Sequence, residues 1–329
     1  MLLRFRASAL PALTVPSRRF YHGRVVEDAR GPHPLVADLA LLAVAGFWGL
    51  TFPLGKIVLA VLGPFTYLAV RFTIGALLIV TGTPSDRLTM AWQRWAQALG
   101  VGTVFFLGYA FQTVGLRLTT ASKTAFITGL STVIVPVISA VWLRRPPRAG
   151  VLAGILLASG GLALLTLTEA VAVQTGDWLV LGCAVCFAFH IVLVGRLARA
   201  IEPLAFAAAQ VVPVGLFSTL AAVPERPLLG LVSAGAAVWA MIVFMAATGT
   251  VFAMLVQTWA QRYTTPSHVG LVFTFEPVAA ALAAYLILGE VPSARQAVGA
   301  ALILAGILAS ELNLTPRDVR HPRSPEGRP

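Results

Sequence analysis

Charge is what this chain has least of. Only 11% of its 329 residues are charged and 58% are hydrophobic, whereas a soluble domain is about a quarter charged. So little polar surface cannot cover a water-soluble core, so the surrounding solvent is largely lipid. Backbone groups in lipid must be bonded internally, which leaves helices or closed barrels. Strand-like alternation is missing and the apolar runs have helical length, so the expectation is an all-α, multi-pass membrane protein.

Other absences narrow the chemistry. The two cysteines, Cys183 and Cys186, have C-x-x-C spacing inside an apolar run with no further ligand nearby. Packing is their expected role rather than metal binding or redox chemistry. There is no Ser/His/Asp constellation, no pair of intramembrane aspartates, no H-E-x-x-H and no G-x-x-x-x-G-K-[ST] loop. An enzyme is therefore not expected, nor is any cofactor or metal. Without an ATP site, uphill movement of a solute would have to draw on an ion gradient, where one charge crossing 100 mV supplies ~2.3 kcal/mol. The net charge is +11, but the basic residues lie in the tails and loops rather than on one face, which argues against a nucleic-acid partner.

What the chain does have is a sentence said twice. Residues 112–123 read QTVGLRLTTASK and residues 257–268 read QTWAQRYTTPSH. Gln112, Thr113, Arg117, Thr119, Thr120 and Ser122 recur 145 residues later as Gln257, Thr258, Arg262, Thr264, Thr265 and Ser267. The same offset carries Pro147 to Pro292, Gly154 to Gly299 and Gly161 to Gly306. Phe47, Gly55, Lys56 and Pro64 match Phe187, Gly195, Arg196 and Pro203 at an offset of 139–140. Each polar word is read as a hinge, where one helix ends at the Arg and the next starts at the TT-x-S hydroxyls.

Ten apolar segments are expected to span a bilayer: 36–60, 64–82, 96–116, 120–143 and 150–168, then 178–198, 203–223, 238–260, 265–289 and 294–312. They divide the chain into a basic tail (1–34), a first five-helix repeat (35–170), a second (171–314) and a polar tail (315–329). The first tail is Arg-rich without a secretory core; a solvated tail, an organelle transit peptide and an over-extended start are its three readings. With the N-terminus in the cytoplasm, the arginines of both tails, and Arg87, Arg94, Arg144, Arg145, Arg148, Arg196, Arg199 and Arg262, share the cytoplasmic side. Lys56, Arg117, Lys123, Arg226 and Arg295 face the other way. That bias places both termini inside, and Trp92 and Trp95 beside Arg94 suit an interfacial belt. Five spans separate equivalent points of the two halves. Five is odd, so the repeats are inverted, as in many secondary transporters.

In F-W-G-L-T-F at 47–52, R-F at 71–72, A-S-K-T-A-F-I at 121–127, F-E-P-V at 275–278 and L-G-E at 288–290, the chain resembles the EamA-like members of the drug/metabolite transporter superfamily. The resemblance covers about 36–312; the order and spacing of the words carry it. The first half departs from it at Arg145, which stands where the acid of L-G-E would fall. The resemblance implies a metabolite or drug carrier of a plasma or comparable membrane, with a small-molecule substrate and no stated chemistry for it.

Ionisable and polar groups within spans are the candidate substrate contacts. Glu276, beside Pro277 in mid-span, is the candidate for binding a cationic group or coupling to protons; a structural carboxylate is the alternative. His190 is a proton switch, a substrate donor or, on the plainer reading, a packing histidine. Trp48, Thr51, Tyr109, Gln112 and Gln257 complete the expected cavity, with Gln112 toward the outer side and Gln257 toward the inner side as symmetric gates or substrate contacts, and interhelical bonding as the alternative for the glutamines. Lys56 and Arg71 read as outer-side anchors whose stems snorkel to the headgroups, with an anion-attracting vestibule as the alternative. Lys123 and His268 read as interfacial, and Glu290 as a helix-end cap. Gly150, Gly154, Gly161, Gly299 and Gly306 suit close helix packing, within the bundle or across a homodimer. A metabolite exporter, a lipophilic-cation effluxer and a lipid-modifying enzyme or sensor are the three functional classes, in that order.

Overall fold

A computed structural model of the chain describes residues 34–312, apart from 120, 143, 145, 146, 148, 167–173, 289 and 290. Residues 1–33, the 315–329 tail, Arg145 and Glu290 lie outside it, and Lys123 is described by its backbone alone. Among the described residues all regular structure is helical. The helices are α1 (Pro34–Leu59), α2 (Pro64–Gly82), α3 (Trp92–Leu118), α4 (Ala121–Gly129), α5 (Ser131–Trp142), α6 (Ala149–Thr166), α7 (Thr175–Leu197) and α8 (Pro203–Ala222). They continue with α9 (Pro227–Ser233), α10 (Ala236–Ala246), α11 (Ala253–Ala260), α12 (Pro266–Val272), α13 (Phe275–Leu288) and α14 (Ala294–Leu312).

Among the described residues, seven helical stretches are long and apolar enough to cross a membrane, and two shorter apolar helices cover Ala149–Leu165 and Ala294–Ala309. The stretch Ala236–Ala260 runs from α10 to α11 through a π-helical segment, Ala247–Phe252. The segment expected as one span at 265–289 is broken into α12 and α13. Thr274 turns its hydroxyl back to the Leu271 carbonyl at 2.6 Å, and Pro277 brings no N–H to continue a helix. A proline in the first turn of α13 loses nothing, because that turn's N–H groups have no intrahelical acceptor.

The ends form as the hinge words imply. Thr119 follows the last residue of α3, and Thr265 caps α12 by accepting from the His268 amide. Thr119 also donates from Oγ1 to Asp177 at 2.6 Å, tying the end of α3 to the first turn of α7.

Helices of the first half lie against helices of the second: α2 on α8, α3 on α7, α6 on α14, and α1 on α13. The α6–α14 contact is reciprocal. A Cβ on Gly154 would meet the Gly306 carbonyl oxygen at 2.5 Å, and one on Gly306 would meet that of Gly154 at 2.6 Å. Gly161 and Gly299 exclude each other in the same way, at 2.5 and 2.6 Å. The two helices are thus antiparallel with their backbones touching, which only glycine permits. Gly154 faces the repeat counterpart of Gly161, and Gly161 faces that of Gly154, the pattern a two-fold axis generates. The glycine stripe therefore packs inside the chain. Large apolar side chains such as Val141, Leu156 and Leu286 point outward, as suits a lipid surround.

Candidate functional site

The seven residues expected at the cavity, Trp48, Thr51, Tyr109, Gln112, His190, Gln257 and Glu276, all line one cleft. Trp48 and Thr51 come from α1. Phe105, Tyr109 and Gln112 recur at helical spacing on α3, as do Phe187 and His190 on α7. Gln257 comes from α11, and Glu276 and Pro277 from the start of α13.

Repeat counterparts meet here. Gln112 and Gln257, Ser131 and Glu276, Thr128 and Phe273, and Thr132 and Pro277 stand 145 residues apart, and every one of them lines the cleft. Sequence reasoning does not single out Thr128, Ser131 or Thr132. The same offset, applied to Glu276 and its neighbours, points to them.

The aromatic walls are interlocked. Tyr109 meets Phe72 and Phe105 edge-on at 4.8 Å and Phe187 at 5.4 Å. Trp48 meets Phe273 edge-on at 4.8 Å and donates from Nε1 to the Gly249 carbonyl at 2.9 Å. That carbonyl belongs to the π-helical segment, a form of helix that recurs at functional sites. Thr51 returns its hydroxyl to Trp48 O at 2.7 Å.

His190 is buried, stacked on Phe105 at 4.3 Å, with Nε2 2.7 Å from Gln210 Oε1. The Gln210 amide nitrogen donates to Phe206 O at 3.0 Å. Its oxygen is thereby turned to the imidazole, which carries its proton on Nε2. The Gln112 amide reaches Thr128 Oγ1 at 3.4 Å. Gln257 donates to Gln261 Oε1 at 3.1 Å, but its own Oε1 is buried without a hydrogen-bond partner among the described residues. Glu276 sits in the first turn of α13, where a helix favours negative charge. Among the described residues no hydrogen bond or ion pair reaches its carboxylate. The cleft thus offers two unanswered polar groups, an amide oxygen and a carboxyl, within aromatic walls.

Two expectations are corrected. Arg71 is no headgroup anchor. It is 2% exposed and bonded to Tyr67, Thr250 and Gly249. It lies on the face of α2 that packs on the π-helical segment rather than on the lipid face. His268 is not interfacial but buried, with Nε2 3.0 Å from Asp38 Oδ1, which ties α12 to α1. Lys56 is exposed in the last turn of α1. Both cysteines are free, and Cys183 packs with its sulfur 3.8 Å from Thr128 Oγ1.

Known proteins share this architecture. A family model described as "EamA-like transporter family" matches residues 35–167 and again 174–311. An "Uncharacterized transporter" of Archaeoglobus fulgidus is 32% identical over 286 residues, 87% of this chain and 89% of its own. "Uncharacterized transporter YyaM" of Bacillus subtilis is 24% identical over 290 residues, 83% of this chain and 92% of its own. A solved structure described only as "Crystal structure of protein" superposes with a TM-score of 0.72 at 20% identity, covering 84% of this chain and 97% of that one. Two matches in tandem, a membrane-suited helical fold and a relative of nearly full length lead to one assignment: the chain belongs to the EamA-like transporter family.

Proposed function

We propose that the chain is a secondary carrier of ten spans, built as two inverted five-helix repeats, that exports small metabolites such as amino acids across the cell membrane with both termini in the cytoplasm. The observation that carries this reading is the cleft itself. It is lined by counterparts from both halves and holds one unpaired carboxylate at a break between two half-helices, as substrate sites of inverted-repeat carriers do. The reciprocal Gly154–Gly306 and Gly161–Gly299 contacts support the two-fold relation between the halves. The Glu276 carboxylate takes a cationic group of the solute, or a proton in exchange for it.

The test is uptake by liposomes holding the purified chain, offered a panel of labelled amino acids and cationic drugs with and without a pH gradient. Saturable uptake of an amino acid is the expected result. Saturable uptake of the drugs alone would replace the reading with lipophilic-cation efflux. The aromatic rings around Glu276 give that second reading its footing, since such rings hold organic cations. No saturable uptake of any solute would contradict both.

A further inference from the structure

Asp38 and His268 lie outside the cleft. Both are buried, with Nε2 of His268 3.0 Å from Oδ1 of Asp38. The pair joins the start of α1 to α12, and so the first half of the chain to the second. A buried polar pair is a weak permanent fastener, because the cost of drying its partners offsets their attraction. It suits a contact that parts and rejoins, since each partner bonds to water once separated.

The element it holds is bounded like a moving part. α12 (Pro266–Val272) has a break on each side: the Thr264–Thr265 hinge before it and the turn at Phe273–Thr274 after it. Short elements between such points absorb the dihedral changes of a hinge. The chain then enters α13, whose first turn carries Glu276, so a shift of α12 is felt at the cleft carboxyl.

The cleft runs away from this end of the bundle. Among the described residues, α1 lines it only from Trp48 onward. A second cavity shares Thr51, Phe52, Tyr109 and Gln112 with it and continues to Leu59 and Leu116, in the last turns of α1 and α3. At the end where α1 begins, α12 and the hinge before it are fastened down. Thr132 Oγ1 donates to Gly270 O at 2.9 Å, Gln261 Nε2 to Ile191 O at 2.9 Å and Arg199 Nε to Arg262 O at 2.8 Å.

The internal repeat supplies a matching pair. The 145-residue offset carries Lys123 to His268, and the 139-residue offset that carries Pro64 to Pro203 carries Asp38 to Asp177. Asp177 lies in the first turn of α7 and accepts from the Thr119 hydroxyl at 2.6 Å. Lys123 lies in the first turn of α4, four residues after Thr119. An acid at the start of one half and a base just past the hinge of the other thus recur at the opposite end of the bundle.

We infer that Asp38 and His268 are a gate latch. They hold α12 on α1 while the cleft is shut at the end where α1 begins, and they part when it opens there. Asp177 and Lys123 are the matching gate at the other end. This inference rests on the reading of the chain as a carrier whose cleft is exposed to each face in turn.

The test uses the full chain in membranes, with Cys183→Ala and Cys186→Ala and a single Gln257→Cys or Gln112→Cys reporter. A membrane-impermeant maleimide is applied to the face where α1 begins and, separately, to the other face. Asp38→Asn and His268→Leu are each expected to speed labelling of Gln257→Cys from the first face by about 5-fold or more, the value of one lost buried hydrogen bond. Labelling of Gln112→Cys from the other face is expected to become no faster. Asp177→Asn is expected to do the reverse. Exchanging the partners, Asp38→His with His268→Asp, is expected to bring Gln257→Cys back toward the native rate. No rise at Gln257→Cys in either single variant overturns the latch. An equal rise at both reporters also overturns it, because general loosening gives that result. An Asp177→Asn chain that behaves as Asp38→Asn does overturns the matching gate. If one single variant fails to fold, the other decides. The labelling needs no solute, so the latch can fail while the carrier reading stands, and that reading falls only with the uptake panel.

Discussion

Gly161 and Gly299 touch backbone to backbone: a Cβ on either would lie 2.5–2.6 Å from the carbonyl oxygen of the other. No side chain can yield there, because the obstacle is main chain. Gly161→Val is therefore expected to force α6 and α14 apart and lower stability by about 1–3 kcal/mol. Thermal melting of the detergent-purified chain checks this, and Gly160→Val, where a Cβ meets nothing within 4 Å, is the control. Equal melting of the two variants would contradict the contact.

Asp38 and His268 join the start of α1 to α12 at 3.0 Å, both buried. Removing the Asp38 carboxyl takes away a buried hydrogen-bond partner of the imidazole, typically at about 1–3 kcal/mol. Asp38→Ala should therefore melt earlier than the native chain. A loss no larger than that of an exposed substitution such as Lys56→Ala would show that the pair contributes little.

Gln210 presents an acceptor to His190 while its nitrogen is held by Phe206 O. Gln210→Leu keeps the volume and leaves a buried N–H unanswered, at about 1–3 kcal/mol. Gln210→Glu keeps the acceptor and is expected to draw a second proton onto the imidazole. A histidine NMR signal in the native chain that shows the neutral Nδ1–H tautomer, with Nε2 bare, would contradict this arrangement.

Glu276 lines the cleft with a carboxyl that is negative only when ionised. Protonation removes that charge, so affinity for a cationic or zwitterionic solute is expected to fall as pH falls and rise as pH rises. Glu276→Gln should bind the solute weakly and with no such slope. A variant whose uptake follows pH as the native chain does would take Glu276 out of the proton path.

Much of the fold and the site is legible in the amino-acid sequence, and the reasons are physical. Scarce charge makes each polar group inside a span conspicuous, so Trp48, Tyr109, Gln112 and Glu276 stand out as one set from sequence alone. The glycines at the 145-residue offset read as packing residues because only small residues let helices approach so closely. Arg71 reads wrongly as an anchor because its distance from the end of α2 is compatible with snorkelling. The face it occupies is decided by the π-helical segment at 247–252, and no periodicity announces such a segment. Asp38 escapes a sequence reading for a related reason: its partner His268 is 230 residues away and on a different helix. The α12–α13 break falls where the Thr274 hydroxyl turns back to the chain just before Pro277, a local detail that hydropathy does not register.

The most direct test of the proposed inverted-repeat cleft is the side from which its two matched glutamines are reached. In a chain with Cys183→Ala and Cys186→Ala, single Gln112→Cys and Gln257→Cys reporters would be exposed to a membrane-impermeant maleimide, applied in turn to each face of the membrane. The account predicts that the Gln257 position is labelled from the cytoplasmic face, the Gln112 position from the opposite face, and that transported solute slows both. Labelling of both positions from the same face, indifferent to solute, would contradict it.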